Sequence, residues 1–416
     1  MKHTGKVSKI PVIGFAIIAA IALSAVLLLT GCEEPESAHV HDEGTWVTTL
    51  PPTCTETGKK ELRCTVDQFV LDTGTIAALG HDYGNWTATL DSDISKKICS
   101  RDQTHQLTGL TGTTRFTFEP IGETATAYSV KSGTSTTDAI AIPDYYRPDA
   151  QSDYLLIMEI SEWAFNGSLD ITSITIPAGL TKIGNSAFNN CTSLTSITIP
   201  DSVTSIGSSA FYNCTSLTSI TIPAGVTKIG DYTFNNCTSL TDITIHAGVT
   251  EIGQFAFYYC TSLTSIDIPE GVETISNYTF YYCTSLAAIT IPAGITSIGN
   301  HAFQNCAVLI SITIPEGVET IGENAFEDCT GLTSINILEG VETIGTFAFW
   351  NCTSLTSITI PASVTSMGVR AFSGWTTSQT INVPFANDNA KPEEWDTYWK
   401  LGCNAVIKYW NGSAYE

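Results

Sequence analysis

Residues 188–211 read FNNCTSLTSITIPDSVTSIGSSAF and contain one full unit of a repeat. Phenylalanine returns at intervals of 23 residues, ten times from Phe165 to Phe372. A fixed period of this length is typical of a solenoid, in which one unit cannot bury its apolar face without its neighbours. Ile197 and Ile199 share one face of a β-branched run, which predicts a short strand. The sequence therefore predicts a β-rich repeat solenoid of about ten 23-residue coils with parallel short strands.

Proline and glycine mark the bends of each coil. A proline such as Pro200 follows the strand in most coils, where it ends the pairing. Two residues later most coils have a glycine, which predicts a turn with positive φ; Ser202 and Ser363 are departures. The glycines are Gly179, Gly225, Gly248, Gly271, Gly294, Gly317 and Gly340.

Eight of the 13 cysteines share one position of the repeat, three residues after the phenylalanine. They are Cys191, Cys214, Cys237, Cys260, Cys283, Cys306, Cys329 and Cys352. We expect an inward ladder of free thiols, because parallel Cβ vectors do not give the dihedral angle of a disulfide. Disulfides between alternate pairs and metal binding are the other interpretations, although no C-x-x-C spacing supports zinc.

The full unit has the pattern L-x-x-I-x-I-P-x-x-V-x-x-I-G-x-x-A-F-x-x-C, as in Leu194 to Cys214. This pattern resembles the BspA-like leucine-rich repeat, a family of bacterial surface proteins, over residues 155–383. Ser168 and Trp375 stand where internal coils have cysteine, as expected for end coils that face solvent or a cap. The resemblance implies adhesion, or binding to a host or matrix component, and names no ligand.

The N-terminus predicts a lipid-anchored protein of the bacterial cell envelope, exposed at the surface. Three lysines precede the apolar stretch from Ile10 to Leu29, and Leu29-Thr30-Gly31-Cys32 looks like a lipobox. We expect residues 1–31 to be a signal peptide, Cys32 to be the lipid attachment site that anchors the chain to the membrane, and residues 32–38 to be a linker. A single spanning helix is the other interpretation of this stretch.

Residues 39–112 predict two small β-rich modules, because His41-Asp42 and Trp46 of one segment match His81-Asp82 and Trp86 of the next. Cys54 and Cys64 are the candidate disulfide of the first module. The remaining boundaries place an N-terminal cap at 113–154, the leucine-rich repeat solenoid at 155–383 and a C-terminal cap at 384–416.

The charge of the chain excludes some partners. The formal net charge of the 416 residues is −23. Loss of Lys2, Lys6 and Lys9 with the signal peptide would leave 15 basic residues against 41 acidic ones, or −26. Such a surface repels nucleic acid and anionic lipid headgroups, so basic, neutral or calcium-bridged partners are favoured.

Recognisable catalytic motifs are absent from the sequence. It has no G-x-S-x-G, no glycine-rich phosphate loop and no acidic calcium nonapeptide. His39 to Glu43 could hold a metal, but a solvated stretch beside the anchor is the plainer interpretation. We therefore expect no enzyme activity, no metal and no cofactor.

Aromatic residues near the phenylalanine and cysteine ladders form the first candidate binding surface. They replace asparagine and serine of other coils, and exposed aromatics on rigid turns suit protein and sugar interfaces. Simple cover of neighbouring coils is the other interpretation. The candidate residues are Tyr212, Tyr232, Phe255, Tyr258, Tyr259, Tyr278, Tyr281, Tyr282 and Trp350, accompanied by His301 and Phe347.

A strip of glutamates is the second candidate surface. Later coils read E-G-V-E-T where early coils read A-G-V-T-K, and stacked like charges repel one another. We expect the strip to bind a cation or a basic partner, or to remain a solvated acidic face. Its members are Glu270, Glu273, Glu316, Glu319, Glu339 and Glu342.

These features together predict a non-enzymatic surface lipoprotein whose solenoid binds an extracellular protein or glycan. The alternative is a structural or self-assembling envelope protein without a foreign ligand. The uniform Ser/Thr face of the strands also allows a lattice-binding surface, although solvated strands favour the same residues.

Overall fold

The computed structural model describes residues 45–50, 58–63, 70–76, 87–88, 94–98, 106–111, 116–122, 126–133, 139–148 and 155–416. The chain divides into two units, residues 1–89 with 96–107, and residues 90–95 with 108–416. Cys32, Cys54 and Cys64 lie outside the described residues, so the lipid anchor and the disulfide stay predictions.

The first unit contains an antiparallel sheet of three strands. These are β1 (Thr45–Leu50), β2 (Gly58–Arg63) and β3 (Val70–Ile76), in that order across the sheet. Further along the chain come β4 (Thr87–Ala88), β5 (Ile94–Ile98) and β6 (Gln106–Thr111). The boundaries of the two predicted modules remain predictions.

The second unit begins with strands that lead into the repeats. They are β7 (Phe116–Ile121), β8 (Ala127–Gly133), β9 (Ala139–Ala141), β10 (Tyr145–Arg147) and β11 (Leu155–Ile160). β7 and β8 form an antiparallel hairpin, and β11 pairs with β8 in parallel. Phe116 packs edge-on against Phe165, with ring centroids 6.3 Å apart, so the first coil is covered by apolar residues at its outer end.

Each coil of the solenoid contributes two short strands at intervals of 23 residues. In chain order they are β12 (Ser173–Thr175), β13 (Lys182–Ile183), β14 (Ser196–Thr198), β15 (Ser205–Ile206), β16 (Ser219–Ile222), β17 (Lys228–Ile229), β18 (Asp242–Ile245), β19 (Glu251–Ile252), β20 (Ser265–Asp267), β21 (Thr274–Ile275), β22 (Ala288–Thr290), β23 (Ser297–Ile298), β24 (Ser311–Ile314), β25 (Thr320–Ile321), β26 (Ser334–Ile337), β27 (Thr343–Ile344), β28 (Ser357–Thr359), β29 (Ser366–Met367) and β30 (Thr380–Val383). Equivalent strands pair in parallel, as β16 does with β18. The predicted β-solenoid is confirmed.

The core is a ladder of phenylalanine rings. The ten phenylalanines from Phe165 to Phe372 are all buried, and each ring stacks on the next with centroids 5.3–5.6 Å apart. The described residues contain no α-helix, and a 3₁₀ turn lies at Asp388–Ala390. Each coil therefore buries its core only against the coils on either side.

The eight repeat cysteines form a second ladder inside the coil, as the sequence predicts. They are buried, and none forms a disulfide in this structure. Each thiol donates a hydrogen bond to the carbonyl of the phenylalanine 26 residues earlier, as Cys260 Sγ does to Phe234 O at 3.1 Å. Cysteine suits this position because it is a small apolar residue that still supplies a weak donor.

We expect the ladder thiols to be unreactive in the native protein. Burial raises the pKa of Cys191 to about 12 and that of Cys260 well above its usual range, and only the thiolate reacts. Alkylation at pH 8 followed by peptide mapping should label the eight sites only after denaturation. Half-buried Cys403 serves as an internal reference. Rapid native labelling of Cys260 would place the ladder on the outside of the coil.

The C-terminal end of the ladder is closed by tryptophans. The indole of Trp375, which replaces the cysteine, donates to Phe349 O at 2.9 Å, as the thiols of other coils do. Trp375 and Trp399 pack edge-on against Phe372 at 5.3 and 5.9 Å. The segment after the last coil also accepts the hydrogen bonds that a further coil would accept. Arg370 N donates to Tyr398 O, and Gly374 N donates to Gly402 O. The last strand, β31 (Val406–Tyr409), pairs in parallel with β30.

The glycines after the proline do not generally have the positive φ that the sequence predicts. Of the seven, only Gly340 has one, at 117°. At Gly317 close approach requires glycine, because a Cβ there would lie 2.8 Å from the Ala293 carbonyl of the preceding coil, whereas at Gly179 the nearest atom would be 3.4 Å away. The prediction of positive φ was wrong for six of the seven, and at Gly317 the distance to the preceding coil, rather than turn conformation, selects glycine.

Candidate binding surface

Left-handed backbone occurs instead in the turn that carries the aromatic residues. Two positions of each coil, two residues before the phenylalanine and one before the cysteine, have φ near 58°. At these positions the N–H points to the next coil, as Tyr259 N does to Tyr281 O at 2.8 Å. The solenoid therefore imposes a conformation that asparagine tolerates and that costs bulky residues about 1–2 kcal/mol.

Eight rings stack in three parallel columns on this turn, and we call them the aromatic patch. The first column joins Tyr232, Phe255, Tyr278 and His301 with centroids 4.3–4.6 Å apart. The second joins Tyr258 to Tyr281 and the third Tyr259 to Tyr282, each at 4.7 Å.

The three columns touch one another and form one continuous surface. Tyr258 lies 4.8 Å from Tyr259, and Tyr281 lies 4.9 Å from Tyr282. Phe255 approaches Tyr258 at 5.5 Å, which joins the first column to the second. The structure thus brings together seven of the nine aromatic residues predicted from sequence, with His301 at one end.

The other two predicted aromatics lie apart from the patch. Tyr212 is two coils before Tyr258, and buried Asn235 holds the equivalent position between them. Trp350 lies three coils after Tyr281, where it packs against Phe347 at 5.0 Å. The sequence analysis grouped these two residues with the others because it considered residue type and not the number of coils between them.

The inner rings of the patch, Phe255 and Tyr278, present edges rather than faces, whereas each of the other six rings stacks on one side. Stacked neighbours cover both faces of the inner rings, and most members are half-buried, while Tyr232 is 39% exposed. Burial and neighbouring tyrosines raise the pKa of Tyr281 to about 12 and also raise that of Tyr258. These hydroxyls are therefore protonated donors at physiological pH.

The aromatic rings interrupt a ladder of asparagines. In earlier coils Asn213 Nδ2 donates to Asn190 Oδ1 at 2.6 Å, and Asn236 continues the ladder to Asn213. The next two coils have Tyr259 and Tyr282 at that position. The side-chain ladder resumes in later coils, where Asn351 Nδ2 donates to Asp328 Oδ1. Tyrosine here replaces a residue that fits the backbone better.

The acidic strip is exposed but is divided into two parts. Glu270 and Glu273 are separated from the other four by a coil with Ala293 and Thr296 at the equivalent positions. One of the four, Glu339, accepts the backbone N–H groups of Ala362 and Ser363 at 3.2 and 3.1 Å. Among the described residues no cluster of three His, Cys, Asp or Glu could hold a metal.

The strand face carries exposed serine and threonine side chains, and the threonine just before the strand bonds to the neighbouring coil in several coils. Thr218 and Thr241 each donate from Oγ1 to the carbonyl of the preceding coil, at 3.2 and 3.1 Å.

Trp163 was not among the binding residues predicted from the sequence, although it is 52% exposed with φ of 61°. It occupies the position of Tyr232 in the first coil, and alignment of that degenerate coil would have found it.

The sequence matches a protein family described as BspA type leucine rich repeat region (6 copies), at residues 158–287 and 273–393. These two stretches cover more than half of the chain. The chain belongs to this family. The predicted BspA-like leucine-rich repeat is thereby confirmed for the solenoid.

Solved structures of other leucine-rich repeat proteins are similar to this BspA-type chain. A T. pallidum leucine-rich repeat protein (TpLRR) shares 29% identity, covering 48% of this chain and 90% of that chain, with a TM-score of 0.44. A leucine-rich cell surface protein from Faecalibacterium prausnitzii shares 27% identity, covering 73% of this chain and 96% of that chain, with a TM-score of 0.42.

A search of curated proteins finds no match to this BspA-type sequence. The described part of the chain contains no helix with the length and hydropathy that a membrane crossing requires.

Proposed function

We propose that this chain is a non-enzymatic lipoprotein of the bacterial envelope whose solenoid binds an extracellular protein or glycan in adhesion or host interaction. Membership of the BspA-type leucine-rich repeat family supports a surface location and a binding role in general terms. Anchoring at Cys32 and the identity of the ligand are the specific parts of the proposal.

The aromatic patch is the observation that carries this proposal. Tyr259 and Tyr282 hold a conformation that disfavours tyrosine, although asparagine fills the same position in neighbouring coils. Local strain that the fold does not require points to function. Tyrosine on a rigid frame is also among the residue types that dominate binding energy at interfaces.

Geometry favours a protein ligand for the patch. A sugar ring packs on an open aromatic face, whereas the inner rings of Phe255 and Tyr278 are stacked on both sides. Ring edges with protonated hydroxyls suit backbone carbonyls and apolar side chains of a protein. The exposed glutamates and the net charge of −23 favour a basic partner and speed its approach.

Replacing Tyr258, Tyr259, Tyr281 and Tyr282 together with Asn should abolish most of the binding. If they are hot spots, affinity should fall by about 2 kcal/mol or more, which is about 30-fold. A pull-down of matrix proteins and glycans with the full chain would identify the ligand, and calorimetry would then compare the variant with the native chain.

The matched control is Tyr398→Asn, which changes a 59% exposed tyrosine outside the patch. It should bind normally, and circular dichroism should show that the quadruple variant keeps the native fold. A folded quadruple variant with undiminished affinity would remove the patch from the proposal. The binding surface would then be sought on the acidic strip at Glu316 and Glu339.

Self-assembly without a foreign ligand is the second candidate function, and one observation favours it. Val308 and Ile310 are 44% and 57% exposed where other coils have serine and threonine. An assembly protein should oligomerise alone at micromolar concentration. Light scattering on the full chain distinguishes the two candidates, because a receptor-type protein stays monomeric until its ligand is added.

The anchor gives a prediction that is independent of the solenoid. Cys32→Ala should abolish incorporation of labelled palmitate and leave an uncleaved precursor, since the thioether forms on that cysteine. Cys54→Ala is the control, because it removes a cysteine from the same N-terminal part and should leave labelling intact. Palmitate incorporation in the Cys32 variant would show that the chain is not anchored at this residue.

A further inference from the structure

A polar cleft of about 390 Å³ lies between the β7–β8 hairpin and the first coils of the solenoid. This volume falls in the range of about 300–1,000 Å³ that small-molecule sites occupy. Part of its lining is backbone, because Gly184 and Gly207 leave no room for a side chain. The cleft is separate in the sequence from the aromatic patch and from the acidic strip.

Hydroxyl and carboxylate groups converge in the cleft. Ser161 Oγ donates to Ser129 Oγ at 3.0 Å and lies 3.3 Å from Glu119 Oε1. Ser129 is only 4% exposed, so this network is built into the wall rather than displayed on the surface. Asn185 and Ser205 add further polar side chains to the lining.

The charges of the cleft are largely paired. Lys131 binds Glu119 at 2.9 Å, and Lys182 binds Glu159 at 3.2 Å. Glu162 also lines the cleft and has no ion-pair partner among the described residues, and the indole N–H of Trp163 donates to it at 2.9 Å. The near balance of charge, with one carboxylate in excess, disfavours an anionic ligand and suits a neutral polar one.

Trp163 supplies an open aromatic face beside these polar groups. It is 52% exposed, and among the described residues no aromatic ring stacks on it, unlike the inner rings of the patch. Trp163 does not itself line the cleft, but its bond to Glu162 joins the indole to a lining residue. The two following coils have Ser186 and Ser209 at this left-handed position, so the fold itself does not require tryptophan.

We propose that this cleft, together with the neighbouring indole of Trp163, binds a neutral saccharide. The negative face of the indole would take the apolar C–H face of a pyranose ring. Glu162 and Asn185 would hydrogen-bond adjacent hydroxyls, whose paired donors and acceptors match carboxylate and amide groups. The site is distinct from the aromatic patch, so the failure of either proposal leaves the other intact.

The test uses the full ¹⁵N-labelled chain and four probes, which are maltose, cellobiose, lactose and N,N′-diacetylchitobiose. At least one should shift the Trp163 indole resonance, with a Kd of about 1 mM or tighter. That resonance is assigned by its absence in Trp163→Ser. Absence of any shift with all four sugars at about 20 mM would overturn the proposal.

Saturation-transfer NMR, observed on the sugar, then compares variants. Trp163→Ser should weaken binding at least about tenfold while the fold is kept, because serine occupies this position in the next two coils. Trp410→Phe changes another exposed tryptophan, beyond the last coil, and should bind as the native chain does. Equal binding by Trp163→Ser, or binding of spermidine in place of every sugar, would contradict a saccharide site.

Discussion

Raising the pH from 8 to 10 should lower the free energy of unfolding by several kcal/mol. In the folded chain, burial raises the pKa of the ladder thiols, with neighbouring thiols adding to the effect at Cys214 and Cys237. In the unfolded chain the same thiols regain ordinary values near 9.0. At pH 10 the difference amounts to about 1 kcal/mol for each thiol.

The sign follows from which state releases protons first. Above pH 9 the unfolded chain loses thiol protons that the folded chain keeps, so stability falls as pH rises. Below about pH 8 both states hold nearly all of these protons and the ladder makes almost no pH-dependent contribution. For Cys191 the loss should continue to about pH 12, because burial raises the pKa of its thiol in the folded chain to about 12.

Urea denaturation between pH 7 and 10.5, with a reductant present, measures this effect. A triple variant with Cys237→Ala, Cys260→Ala and Cys283→Ala is the matched comparison. It should begin less stable and lose about three-eighths less stability on going to pH 10, since three of the eight ladder thiols are gone. Equal losses in the two proteins would show that the ladder is not the source.

Phe257→Ala should cost about 3–5 kcal/mol, the largest effect that we expect from a single substitution. The ring is fully buried and stacks on Phe234 and Phe280 at 5.6 Å on both sides. The backbone bonds of Phe257, including its acceptance of the Cys283 thiol, survive the change. The cost therefore comes from the cavity and the two lost ring contacts.

The same variant should also divide the unfolding of the solenoid. Each coil packs only against its neighbours, so a weak coil in the middle separates the coils before it from those after it. Hydrogen exchange should show lower protection around Phe257 than at either end. Thr244→Ala, at an exposed strand position, is the control and should cost less than about 0.5 kcal/mol. A loss at Phe257 as small as that of the control would mean that the ring is not part of a stacked core.

The 23-residue period predicted most of the fold because it is a property of packing. A ring such as Phe257 and a thiol such as Cys260 must return to the same place in every coil if both are to stay buried. The turn glycines were harder to interpret, since glycine serves both positive φ and close approach. Only coordinates show that Gly317 is needed for the second reason.

The sequence indicated the candidate surfaces less completely. The tyrosines at 258, 259, 281 and 282 were predicted to meet because their spacing equals the period. That one face of each tyrosine is covered by its stacked neighbour depends on ring orientation, and that the exposed Trp163 has a polar cleft nearby depends on the β7–β8 hairpin. Neither follows from a repeat pattern.

The carbonyls of Tyr398 and Gly402 have a consequence for filament formation. Turn N–H groups of every coil point to the coil that follows, so a bare last coil would offer Arg370 N and Gly374 N to any incoming chain. The first coil of a second molecule could accept those bonds and continue the stack end to end. Because the carbonyls of Tyr398 and Gly402 already accept from these two N–H groups, the segment after the last coil prevents a second molecule from stacking there.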